Sequence, residues 1–354
     1  MRPIRRLVRA AAALALASAI VPIATAPAQA QAQTADLTTS TVFTDNFRNG
    51  FDTSSTGKWQ LWPAPGMSSG DGIPSTDANG LHVIPSGTDP ATGNPAFAFT
   101  TAQQTAGGAG DRDHTKWLSF ANHNSTAGFA GYDTPANGRW TCDANLSVTT
   151  RKTEANPFGA NVTDPQSDLR LANGAMVVAD LETGVLMDFH VTNNTVYAWY
   201  ERLRYPNTTY SAFAYAVPVA TISKGASLNY QIQLDNSRTR ATWKINGIPV
   251  HSVTNLGARP TDRANLVTDH GGTDQTVAPR QLLCGLGTFT IMDGAGQDGR
   301  GLVQLDTTPG YYYAPLAGQP TPQTFVDTAS PASSRLWGQG AEISSSYLTI
   351  TTAQ

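Results

Sequence analysis

Charge is scarce in this sequence. Lys, Arg, Asp and Glu make up 14% of its 354 residues, and 23 basic against 26 acidic side chains leave a net charge of -3. No basic block stands out, so the electrostatic footprint of a nucleic-acid binder is missing. The chain has only two cysteines, too few for a structural zinc site unless histidines join them. No convincing window places apolar residues at the helical spacing, and no repeat of roughly 20–50 residues is visible, which excludes bundles, solenoids and propellers. No Gly-x-Ser-x-Gly elbow and no phosphate-cradling glycine loop leading into a helix is present. At 40% hydrophobic residues the chain is too apolar to be disordered.

The N-terminus reads as an address. Arg2, Arg5, Arg6 and Arg9 precede an alanine-rich apolar run from Ala10 to Ala24, and Ala28-Gln29-Ala30 fits a small-x-small cleavage site. The run is shorter than the ~20 residues of a membrane span. Residues 1–30 are therefore expected to be a signal peptide, and 31–354 one domain, secreted and with no membrane segment after cleavage. In an oxidising compartment Cys142 and Cys284 are expected to pair; the alternative is two buried free thiols.

The rest reads as all-β. Short alternating runs are separated by Gly, Pro, Asn and Asp. The clearest is Val185–Thr192, then Asn193-Asn194, then Thr195–Leu203, a hairpin with a two-residue turn at which asparagine tolerates positive φ. That turn fixes the register: His190 opposite Tyr197, Asp188 opposite Trp199, Leu186 opposite Glu201. Val185, Met187, Phe189, Val191, Val196, Ala198 and Tyr200 then form a core face. The other face gathers Asp188, His190, Tyr197, Trp199 and Glu201 and is expected to be wet. A second hairpin turns at Asn246-Gly247, after Trp243-Lys244-Ile245. Two stacked antiparallel sheets in a jelly-roll sandwich account for the pattern.

Several segments carry a resemblance. Phe43-Thr44-Asp45-Asn46-Phe47 with Gly50-Phe51-Asp52 and Trp59, and the Trp243 hairpin, resemble the concanavalin A-like lectin/glucanase sandwiches. Asp188–Arg204, Gly285–Thr290 and Arg335–Glu342 are similar to an uncharacterised secreted bacterial family without an assigned activity. The superfamily resemblance implies glycoside hydrolases, jelly-roll polysaccharide lyases or lectins as relatives, and fold alone does not choose among them. The Glu-x-Asp-x-x-Glu strand of the laminarinase-like hydrolases has no match here. The Gln-x-His strand of the jelly-roll alginate lyases meets Asp188-Phe189-His190, with Asp in place of Gln.

The candidate chemistry centres on the hairpin. Trp199 and Tyr197 offer flat faces for sugar rings. Asp188 and Glu201, diagonal neighbours roughly 7–8 Å apart at the backbone, suit hydrolysis with Glu201 as acid and Asp188 as nucleophile or base. For β-elimination His190 is the base, Tyr197 the acid, and Arg204 or Lys244 the partner of a uronate carboxylate. Noncatalytic glycan binding, or binding of another small molecule, competes with both. Asp111-Arg112-Asp113-His114 with His123, and Asp269-His270, read mainly as polar loop residues. No cofactor is expected. Calcium is the one ion that the oxygen-rich loop from Asp293 to Gly299 suggests, although the loop lacks a bidentate Glu. The expected partner is an extracellular glycan, engaged by a monomer.

Overall fold

Alternation of apolar and polar residues, repeated over many short runs, builds two antiparallel sheets in a computed structural model that describes residues 37–62, 70–100 and 114–354. The first sheet runs in the order Ile248–Thr254, Arg240–Ile245, Ser227–Leu234, Arg139–Arg151, Gly340–Ala353, Gly80–Ile84 and Ile73–Asp77, with Thr39–Asp45 also paired to Gly340–Ala353. The second runs Leu266–Asp269, Phe213–Thr221, Thr195–Arg202, Val185–Val191, Asn173–Asp180, Gln281–Phe289, Thr115–Ala121 and Trp59–Leu61, with Tyr132–Asp133 beside Gln281–Phe289. The expected signal peptide lies outside the described residues. From Leu37 onward the chain is one compact unit.

The inner faces of the two sheets meet over a core rich in large rings. Trp59, Trp117, Trp140, Trp243, Tyr200, Tyr230, Phe189 and Phe213 are all buried there. All seven residues assigned to the core face of the hairpin are fully buried. A disulfide and a tryptophan hydrogen bond are among the links that cross the sandwich. Cys142 and Cys284 form a disulfide between the strands Arg139–Arg151 and Gln281–Phe289. The indole N–H of Trp243 donates to the carbonyl of Asp188 at 2.7 Å, pinning the middle of the hairpin to the opposite sheet.

The hairpin register is the one the alternation predicts: His190 pairs with Tyr197, Asp188 with Trp199 and Leu186 with Glu201. Its turn works differently from the expectation. Asn246 and Gly247 take positive φ in the second hairpin, whereas Asn193 and Asn194 are not among the described positive-φ residues. Asn193 is instead buried. Its side chain accepts from the Thr150 N–H at 2.8 Å and donates to the Thr150 carbonyl at 3.0 Å and to Gln166. The asparagine staples the hairpin tip to the first sheet.

The outer face of the second sheet is not the open wet surface that alternation suggested. It carries an apolar cluster of its own, in which Leu118, Phe120, Val177, Trp199, Leu283 and Phe289 pack with Leu169 and Ile291 from irregular segments. Those segments form a partial third layer around Phe158, Leu171, Met292 and Leu305. A cleft is left where this layer does not cover the sheet.

Candidate functional site

The cleft encloses about 560 Å³ across the outer face of the second sheet. Its floor is set by strand alternation. Leu186, Asp188 and His190 point outward from one strand, Trp199 and Glu201 from the next, Val177 and Ala179 from the third. Trp62 and Phe120, whose rings meet edge to face, close one side. The segment from Leu203 to Thr208, with Tyr311, closes the other. Gly285 keeps the floor low between them: a Cβ there would stand 2.1 Å from the Ser119 carbonyl oxygen and against the Phe120 ring.

Asp188, His190 and Trp199 are each 2% exposed, so they are reached only from inside the cleft. The His190 ring lies between Trp199 and Phe289, at 4.7 and 5.3 Å between ring centres. Its tautomer follows from Asn173. The Asn173 amide N–H donates to the Leu169 carbonyl at 2.8 Å, which leaves its oxygen facing His190 Nδ1 at 2.7 Å. Nδ1 therefore donates, and Nε2 keeps its lone pair. Burial, with the nearby charge of His114, pushes the imidazole down to about 3, so the ring is neutral over the ordinary pH range.

Asp188 is perturbed the other way. Burial raises its carboxyl well above the usual carboxylate range, opposed only by the Val178 N–H that donates to Oδ1 at 2.9 Å. Its second oxygen stands 3.7 Å from His190 Nε2. A carboxyl whose ionisation burial disfavours thus faces a neutral imidazole. Glu201 sits on the diagonal, its Oε2 accepting from the Trp199 indole N–H at 2.8 Å. Arg204 is exposed at the rim, its guanidinium 4.7 Å over the Tyr311 ring.

Two of the residues singled out from sequence are not brought to this cleft. The Tyr197 hydroxyl donates to the Ser167 carbonyl at 2.8 Å and opens onto a separate hollow, walled by Leu169, Arg170, Ala216 and Pro218. Burial, then the charge of Asp168, raises this phenol to about 12. His190 and Tyr197 are cross-strand neighbours, yet their reactive atoms face different spaces. Lys244 belongs to the first sheet. Trp243 and Ile245 on either side of it point into the core, so Lys244 points away on the far side of the sandwich, where it donates to Gln233 at 3.1 Å.

The loop starting at Asp293 does not present that carboxylate to an ion. Asp293 is fully buried; His114 Nε2 meets Oδ1, and the Tyr312 hydroxyl donates to Oδ2 at 2.7 Å. Asp269 is likewise buried and is gripped by Arg259 and Arg263. His123 stacks on Tyr132 at 4.3 Å, and residues 111–113 lie outside the described residues. Among the described residues no group of three or more His, Cys, Asp or Glu side chains could hold a metal ion. Asn173, Phe289 and the pairing of His114 with Asp293 were not legible from sequence. Phe289 follows Gly285 and Gly287 on one strand, a small-small-aromatic alternation that points to a ring lying across glycine backbone.

The chain is similar in fold to several solved structures. The solved structures it resembles include the endo-1,3-beta-glucanase of Streptomyces sioyaensis, with 15% identity, 89% of this chain and 96% of that chain covered, and a TM-score of 0.43. A laminarinase catalytic domain from Thermotoga petrophila gives 10% identity, 89% and 98% coverage and a TM-score of 0.39. An alginate lyase of polysaccharide lyase family 7 gives 8%, 80%, 83% and 0.35. These are likenesses of sheet arrangement and say nothing of chemistry. An uncharacterised protein of Acanthamoeba polyphaga mimivirus is 28% identical over 51% of this chain; the match spans about half of that relative, 54%. Residues 44–354 match the family of unknown function DUF6081, and the chain belongs to that family.

Proposed function

We propose that this protein is exported and that its cleft binds a glycan and hydrolyses it, with Asp188 as general acid and Glu201 as the opposing carboxylate. The observation that carries the reading is the environment of Asp188: a carboxyl whose ionisation burial disfavours, at the floor of a cleft of about 560 Å³ beside Trp199. A carboxylic acid whose ionisation is pushed towards neutral pH is what protonation of a glycosidic oxygen requires. The reverse assignment made from sequence, with Glu201 as the acid, is less well supported, because Asp188 is the more deeply buried of the two.

In this reading a sugar ring lies against the Trp199 side of the cleft. Asp188 passes its proton to the bridging oxygen as the bond to the anomeric carbon breaks. Glu201 either takes a proton from the attacking water or attacks the carbon itself, with water then releasing the sugar. His190, fixed by Asn173, turns its Nε2 lone pair towards the Asp188 carboxyl 3.7 Å away. Elimination is the weaker alternative, because burial makes His190 a poor base and the Tyr197 hydroxyl is engaged elsewhere. The Cys142–Cys284 disulfide supports export to an oxidising compartment. No helix among the described residues is long and apolar enough to cross a membrane.

The test is incubation of the purified protein with neutral and acidic polysaccharides, measuring new reducing ends and ultraviolet absorbance of unsaturated products. Hydrolysis predicts reducing ends without absorbance, lost by about 100-fold or more in Asp188→Asn and Glu201→Gln. Retention on a glycan without products, or activity unmoved by both substitutions, overturns the catalytic reading.

A further inference from the structure

The cleft contains a second imidazole, and it is wired in the opposite way from His190. His114 lines the cleft wall and its side chain is 17% exposed. Its Nε2 meets the Oδ1 of Asp293, a residue 179 positions away whose side chain is wholly buried. The other carboxylate oxygen accepts from the Tyr312 hydroxyl at 2.7 Å, and the Asp293 backbone carbonyl accepts from Gln323 at 2.8 Å. Asp293 is thus fixed on three sides. His190, in contrast, has an amide where His114 has a carboxylate: its Nδ1 donates to the Asn173 oxygen.

The two partners have opposite consequences. A carboxylate beside an imidazole favours the protonated ring; a buried amide gives no such bias. Burial works against an Asp293 anion, but the charge and hydrogen bond of His114, then Tyr312 and the charge of His270, hold the carboxyl below its usual range. The same interaction, seen from the other side, favours the proton on His114. The charge of His114 in turn adds to burial in keeping His190 neutral. The titratable groups around His114 include Asp293 with Tyr312 and His270 behind it, and, lining the same cleft, His190, Asp188, Glu201, Arg204, Tyr205 and Tyr311.

We propose that the His114–Asp293 pair is a positioning dyad that places a fixed positive charge on the cleft wall and holds His190 as a neutral acceptor. The cleft then meets its ligand with one cationic imidazole and one neutral imidazole. Removing Asp293 would blur that division. The role of this division in turnover rests on the glycan-hydrolysis reading above; the protonation states themselves do not.

The test is a histidine ring titration by NMR on the whole protein, read from the ring nitrogen and carbon shifts of its six histidines. Triple-resonance assignment makes the wild-type spectrum decisive even if a variant fails to fold. The expected result is that His114 titrates above the ordinary histidine value of about 6.5 while His190 remains neutral down to at least about pH 5. In Asp293→Asn, which keeps the shape and removes the charge, the His114 midpoint falls by about one unit or more. In His114→Gln the His190 midpoint rises. A wild-type His114 midpoint at or below about 6.5, or a folded Asp293→Asn that leaves it unchanged, overturns the proposal. A correct titration in a protein that cleaves no glycan would instead sink only the hydrolysis reading.

Discussion

Asp188 and His190 pull the pH dependence of stability in opposite directions. An Asp in the unfolded chain ionises near about 3.9, whereas folded Asp188 keeps its proton to higher pH. Its contribution to stability is complete below that unfolded value and is lost as pH rises through the folded one. His190 is the converse: unfolded near about 6.5 and folded about 3, it contributes fully above the former and loses its contribution as pH falls towards the latter. Each group has a slope of about 1.4 kcal/mol per pH unit within its window. The windows overlap above the unfolded Asp value of about 3.9, so the wild-type slopes offset one another there. Asp188→Asn is expected to raise Tm at pH 7 and to make Tm fall more steeply than in wild type on acidification. His190→Gln is expected to do the reverse over the same interval. Calorimetry from pH 4 to 7 checks both, and parallel curves for all three proteins would contradict the assigned environments.

The hairpin from Val185 to Arg202 was legible because its period of two is strict. One face is entirely apolar, and a slip by one residue would expose it all. The reason for Asn193 was not legible, since its partners, Thr150 and Gln166, lie 43 and 27 positions away in sequence. Asn193→Ala is expected to lower stability by about 1–3 kcal/mol, through buried backbone groups of Thr150 left without a partner. Denaturant unfolding measures this, and a change within error would mean that water replaces the amide. Lys244 was misplaced for a related reason. Sequence shows that Lys244 faces away from Trp243, but not which sheet its strand joins. Lys244→Ala is expected to leave glycan binding and turnover unchanged. A tenfold loss in either would mean that the ligand lies on the first sheet.

At the scale of the whole molecule, the sandwich is recoverable from alternation, and the layer over it is not. The segments that carry Phe158, Leu171, Met292 and Leu305 have little periodic pattern, so nothing in them announces that they roof the second sheet. Together with the cleft walls, Trp62 and Phe120 on one side and residues 203–208 with Tyr311 on the other, that layer leaves a cleft in place of an expected wet surface, with Asp188 and His190 buried at its floor. It also explains why His114 and Asp293 read as unrelated loop residues. The disulfide was legible only as a pairing of the two cysteines; that it joins the two sheets follows from the topology. Closing a loop of 142 residues stabilises the fold by about 5 kcal/mol on the chain-entropy view. The Cys142→Ala, Cys284→Ala double variant is expected to lose most of that in denaturant unfolding, and a loss below about 1 kcal/mol would indicate an unfolded state already compact.

The central claim is that ligand enters the cleft on the outer face of the second sheet and meets Asp188 there. The most direct measurement is a crystal structure of Asp188→Asn, which keeps the side-chain shape while removing the acid, with an oligosaccharide from the polysaccharide that wild type engages. The account predicts a sugar ring against Trp199, with a bridging oxygen within hydrogen-bonding distance of the residue at position 188 and Glu201 on the opposite side of that bond. A sugar seated on the polar outer face of the first sheet, or in the hollow lined by Tyr197, would contradict it.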